Sequence, residues 1–135
     1  MDIIRILEEE EPFFKLLGLR LLELRRGYSK LELPYREEFT RRGKVIQGGI
    51  IFSAMDFAGA IATMTVNDGE DQVTQELKVS FLEPMFKGPF IVEGNVIRRG
   101  GSTVVVKTTF TDSEGKLGAI GLGTWILHKN KRVTK

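Results

Sequence analysis

Residues 45–67 read VIQGGIIFSAMDFAGAIATMTVN, an almost wholly apolar run that holds a single charge, Asp56. Small residues lie all round it, so no helical face is marked as the wet one, and a helix apolar on every side belongs in an interior. A carboxylate there is costly unless it is paired, hydrogen-bonded or protonated. That cost makes Asp56 the first candidate for chemistry. The run has about the length of a membrane span, yet Gln, Ser, Thr and Asp interrupt it, and a mid-helix Asp alone costs roughly 2.5–3.5 kcal/mol on insertion. It therefore reads as a buried core helix with no membrane partner.

The rest of the chain predicts what that helix packs against. Asp2 can cap a short first helix and Pro12 suits the first turn of a second, which ends near Gly18. Between Leu19 and Pro34 leucines alternate with charges on either side of Gly27-Tyr28, as in two strands, with a phase slip at Leu21-Leu22 that suggests a bulge. Residues 35–44 read as a charged loop leading to a helix that starts at Gly48-Gly49 and stops near Asn67-Asp68-Gly69. Beyond Gly69 everything looks like strand. Val73, Gln75, Leu77, Val79 and Phe81 alternate with polar residues, and further strands are expected near 89–98, 103–111 and 117–128. The order predicts one α+β domain over residues 1–135, with short helices at 1–18 and a basic tail at 129–135. In it a curved antiparallel sheet wraps one long apolar helix. One side of that helix would still project beyond the sheet, and dimerisation is its natural cover.

Composition narrows the function. The 135 residues contain no cysteine, which removes thiolate nucleophiles, disulfides and zinc–cysteine sites. Twenty basic residues nearly balance eighteen acidic ones, so a strongly basic nucleic-acid binder is not expected. The opening MDIIRILEEEE lacks the layout of a signal peptide, and the chain reads as cytoplasmic. No metal-ligand cluster and no phosphate-binding glycine loop is present. His128, the sole histidine, falls at a strand end beside the basic tail and reads as exposed.

Gln47-Gly48-Gly49 followed by Asp56 resembles the His-Gly-Gly and later Asp of hotdog-fold thioesterases, most closely the PaaI-type acyl-CoA thioesterases. ELKVSFLEP at 76–84, RRGGS at 98–102, residues 112–117 and the segment 119–124 extend the similarity over most of the chain. The resemblance implies hydrolysis of an acyl-CoA without metal or redox cofactor. It implies that Gly48 offers its backbone N–H to the thioester carbonyl. It gives Asp56 the role of general base or nucleophile, and Thr74 that of placing the water or the carboxylate. Gln47 stands where the family has His and cannot titrate. Gln47 and Gly49 would lie against the substrate, and Arg98, Arg99 and Ser102 could meet the CoA phosphates.

Two geometric points accompany the resemblance. Strict alternation puts Thr74 on the face opposite Leu77, so Thr74 reaches the site only through a strand irregularity. Gly48 and Asp56 are eight residues apart, roughly 12 Å along a helix at ~1.5 Å per residue. They cannot both touch one carbonyl carbon from the same helix, so two antiparallel helices across a dimer axis are expected to share each site. A homodimer is the minimum and a homotetramer the larger alternative. The rival to the enzyme is a non-catalytic acyl-CoA binding or sensing protein of the same fold, and a third reading is a structural dimer in which Asp56 is only packed.

Overall fold

The structure, a computed structural model, describes residues 2–128; the basic tail lies outside them. Asp2 caps the first helix, α1 (Ile3–Glu9), by accepting from the Arg5 amide, and Pro12 opens α2 (Pro12–Leu16). Strands β1 (Arg20–Arg25) and β2 (Tyr28–Leu33) form a hairpin, with the pairing slipping between Leu21 and Glu23 where the sequence pattern slips. Then come a single turn of tight helix at Glu37–Phe39 and a small hairpin of β3 (Thr40–Arg41) and β4 (Val45–Ile46). The long helix α3 (Gly48–Met64) follows, and the chain ends in β5 (Asp71–Phe81), β6 (Phe90–Arg99), β7 (Thr103–Thr111) and β8 (Leu117–His128).

Six strands make one antiparallel sheet in the order β1-β2-β6-β7-β8-β5. α3 lies across its inner face and contacts β2, β5, β6, β7 and β8. Ile51, Ala54, Met55, Ala58, Ile61 and Ala62 point into the sheet and are buried. They meet the inward residues of the strands, Leu31, Leu33, Phe90, Val92 and Phe110 on one side and Val104, Val106 and Trp125 on the other. Each such side chain contributes about 1.5–3 kcal/mol by leaving water. The N-terminal helices close one flank, with Leu7, Phe14 and Leu17 buried and Phe14 edge-on to Phe57 of α3 at 5.4 Å.

Small residues in α3 are there for close approach. At Gly59 a Cβ would come within 2.1 Å of the Trp125 ring, so the indole lies directly on the helix backbone.

The structure corrects the sequence reading in three places. Residues 35–44, expected as loop, contain strand β3 and the turn of a hairpin. The helix ends at Met64, and Thr65 rather than the Asn-Asp-Gly turn closes it. The strand after Gly69 does not alternate uniformly, because its pairing with β8 slips between Thr74 and Glu76. Among the described residues no helix is long and apolar enough to cross a membrane.

Candidate active site

α3 is not enclosed all round. Gly49, Phe52, Ser53 and Asp56 recur at helical spacing along a stripe that the sheet leaves uncovered, with Gly49 and Phe52 exposed and Asp56 half-buried. The stripe runs beside β5. The bulge in that strand decides what reaches Asp56. Thr74 pairs with Trp125, an inward residue, while beyond the bulge Leu77 and Val79 pair with Gly123 and Gly121 on the same inner face. Two residues against one shift the phase of the strand. Thr74 and Leu77 therefore share a face that strict alternation denies them, and Val73, expected inside, is exposed.

The Thr74 hydroxyl donates to Asp56 Oδ1 at 2.8 Å. Ser53, the local hydroxyl that could have satisfied the carboxylate, donates instead to the Gly49 carbonyl at 2.9 Å. Burial raises the Asp56 carboxyl above its ordinary value, and the Thr74 hydrogen bond, which favours the charged form, offsets part of that rise.

At the start of α3, Gln47 is the residue before the first turn. Its amide donates to Phe39 and its carbonyl accepts from Ile50 and Ile51, while its exposed side chain makes no capping bond. Gly48 and Gly49 are the first helical residues, where amides have no intrahelical acceptor and the helix carries partial positive charge. Beside Gly48 lies a cleft of about 420 Å³, walled by Ile51, Phe81, Leu82, Pro84 and Met85 and edged by Arg41 and Glu83. A Cβ at Gly48 would only touch the Phe81 ring at 3.5 Å, so the glycine leaves its amide reachable without being forced by packing. Leu82, Glu83 and Arg41 are not singled out as site residues by the sequence, whereas Phe81 stands among its candidate pocket walls. The signal available was the loss of alternation after Phe81, where Leu82 follows directly on another apolar residue ahead of Pro84.

The structure brings Thr74 to Asp56, and Gln47 and Gly49 to Gly48. It keeps these two groups apart along the helix, and it sets Arg98, Arg99 and Ser102 at the other end of α3. Arg99 donates to the Val66 carbonyl just past the helix, to the carbonyls of Gly100 and Gly101, and to Asp68, with Glu70 at 3.8 Å. Its guanidinium is thus occupied in tying the helix end to the β6–β7 turn. Arg98 and Ser102 are exposed, and the Ser102 carbonyl accepts from Leu127. His128 ends β8 opposite Asp71, three residues along the strand from Trp125, the partner of Thr74. Among the described residues no cluster of His, Cys, Asp or Glu could hold a metal.

Residues 43–119, more than half of the chain, match the model of the Thioesterase superfamily. The chain belongs to the thioesterase superfamily. Two proteins of Saccharolobus solfataricus, each named a putative esterase, are similar over nearly the whole length. One is 51% identical, over 93% of this chain and 90% of its own; the other is 41% identical, over 95% and 85%. Among solved structures, the Escherichia coli PaaI protein from the phenylacetic acid degradation operon superposes with a TM-score of 0.88 at 21% identity, over 96% of this chain and 94% of that one. A conserved protein of Pseudomonas aeruginosa gives 0.82 at 27% identity, over 87% and 94%. The sheet wrapped on α3 is the hotdog fold.

Proposed function

We propose that this thioesterase hydrolyses acyl-CoA esters at a site shared between two copies of the chain. The observation that carries the reading is the carboxylate of Asp56, held by Thr74 through a strand bulge and set on an uncovered helix face in a setting that raises its basicity. The Gly48 amide at the helix start would donate to the thioester carbonyl oxygen. Asp56 would take a proton from a water whose oxygen attacks the carbonyl carbon. The oxyanion that forms meets the helix N-terminal donor, a type of stabilisation worth several kcal/mol elsewhere. The C–S bond then breaks, the acid is released, and CoA leaves as thiolate to be protonated. In the nucleophilic variant of this scheme Asp56 attacks first and water opens the resulting anhydride.

Dimerisation has two supports. Among the described residues β5 is the last strand of the sheet, beside β8, and an edge strand is a template for another strand. The uncovered stripe of α3 lies beside that edge. Joining two copies there would turn the stripes toward one another and carry Asp56 of one toward Gly48 of the other. The sensor alternative has one specific support, the non-titrating Gln47.

Thiol release from a panel of aliphatic and aryl acyl-CoAs tests the reading, with turnover of at least one as the expected result. Binding of CoA esters without release would favour the sensor. The pH profile adds a check. Asp56 acts ionised, so kcat/KM should rise with pH through a single ionisation above the ordinary carboxylate range and then level off. Gln47 contributes no second ionisation near neutrality.

A further inference from the structure

From the small hairpin before α3 we infer a phosphate-binding arm: Arg41, Arg42 and Lys44 receive the phosphates of the CoA moiety whose thioester sits at Gly48. The inference rests on the acyl-CoA reading and adds the subsite that reading lacks, since Arg99 is occupied at the far end of the helix. Arg41 and Val45 are register partners in the β3–β4 hairpin and both edge the cleft beside Gly48. The cleft therefore continues from the helix start along the hairpin.

Arg42, Gly43 and Lys44 form the turn, all exposed, and the Lys44 amide donates to the Arg41 carbonyl. Among the described residues none of the three cations has an ion pair, and only the Arg41 guanidinium is engaged, donating to the Arg42 carbonyl at 2.6 Å. The nearby carboxylates are not paired with them. Glu83, across the cleft, pairs with Lys116 at 3.4 Å, and Glu37 and Glu38 precede the hairpin on the tight turn.

Lys44 has φ of 64°, in the left-handed region where glycine or asparagine is the easier choice. Lysine at such a position is strained. A cation kept there places charge at the tip of the arm. Reach also agrees. Lys44 is four residues before Gly48, ~13 Å of extended chain at ~3.3 Å per residue. The pantetheine arm between sulfur and first phosphate is about a dozen atoms, the length of roughly four extended residues, or ~14 Å. Arginine forks match phosphate oxygens, and an exposed cation cluster also draws a polyanion over a Debye length.

The test compares one acyl group carried on CoA and on pantetheine, which lacks the nucleotide phosphates. In the double variant Arg42→Gln/Lys44→Gln, the ratio of kcat/KM for the CoA ester to that for the pantetheine ester should fall by about tenfold or more, in line with lost charge-assisted hydrogen bonds. Calorimetric titration with CoA should show a matching loss of affinity, and added salt should lower the ratio for the unsubstituted protein. An unchanged ratio and unchanged CoA affinity, in a protein that does hydrolyse acyl-CoA, overturns the arm and leaves the thioesterase reading standing. If the unsubstituted protein neither hydrolyses any acyl-CoA nor binds CoA, the reading itself fails and the arm with it. Loss confined to thioesters on an acyl carrier protein would also overturn it, since the hairpin would then recognise a protein.

Discussion

Asp56→Asn should reduce thioester hydrolysis by about a hundred- to ten-thousandfold while making the protein more stable. The loss follows from the removal of the carboxylate that would activate the water. An amide can neither accept the water's proton nor attack a carbonyl, and general-base groups with their positioning are worth about 10²–10⁴ in rate. The gain follows from linkage. Burial raises the folded Asp56 above its ordinary value. Its contribution to stability is therefore complete below the unfolded value and lost as pH rises through the folded one. At neutral pH the ionised group opposes folding. Asparagine removes the charge and can still accept from Thr74, which donates to Asp56 Oδ1. Thermal unfolding at neutral pH should shift upward by roughly a few degrees, and the shift should vanish in acid. A variant that loses activity by losing Tm would instead mark Asp56 as a packing residue.

Trp125→Ala should have the largest effect on stability. The indole is 1% exposed and lies against Gly59 of α3 and Gly123 of its own strand, so tightly that a Cβ at either would be within 2.1–2.7 Å of the ring. Neither glycine can move a side chain in to fill the space. Removing the ring leaves a cavity between helix and sheet, at a cost of about 3–5 kcal/mol, a fall in Tm on the order of 10–20 °C. Circular dichroism at fixed protein concentration is the suitable probe, because this is the only tryptophan. Trp125 also pairs with Thr74 across the sheet, so residual activity should fall further than the folded fraction alone explains.

Most of the architecture is legible in the sequence because it rests on strong local signals. Strands β7 and β8 follow from alternation between glycine and acidic turns. The start of α3 follows from Gly48-Gly49, and the slip in β1 from the doubled leucine. The hairpin of Thr40–Arg41 with Val45–Ile46 is not legible, since two-residue strands in a charged stretch carry no period. The bulge at Gln75 is the instructive case. Alternation alone puts Thr74 outside, and nothing in the residues 73–76 announces that two of them face one partner on β8. Only the pairing register supplies that. Asp56 is conspicuous as a charge among apolar neighbours, whereas its partner's position depends on one extra residue in a strand 18 positions away. The role of the β3–β4 arginines was similarly hidden, because their meaning comes from the cleft beside them.

The central claim, that Asp56 of one subunit works on a carbonyl held by Gly48 of the other, is open to a direct measurement in mixed dimers. Gly48→Pro removes the amide donor at the first helical position, where proline is well tolerated. Gln47 before it has φ −58° and ψ 136°, which a following proline accepts. Asp56→Asn and Gly48→Pro homodimers should each be inactive. Unfolded and refolded together in equal amounts, they should recover about a quarter of native activity, because about half the dimers are mixed and each mixed dimer holds one intact shared site. No recovery, with mixed dimers demonstrably formed, would contradict the shared site.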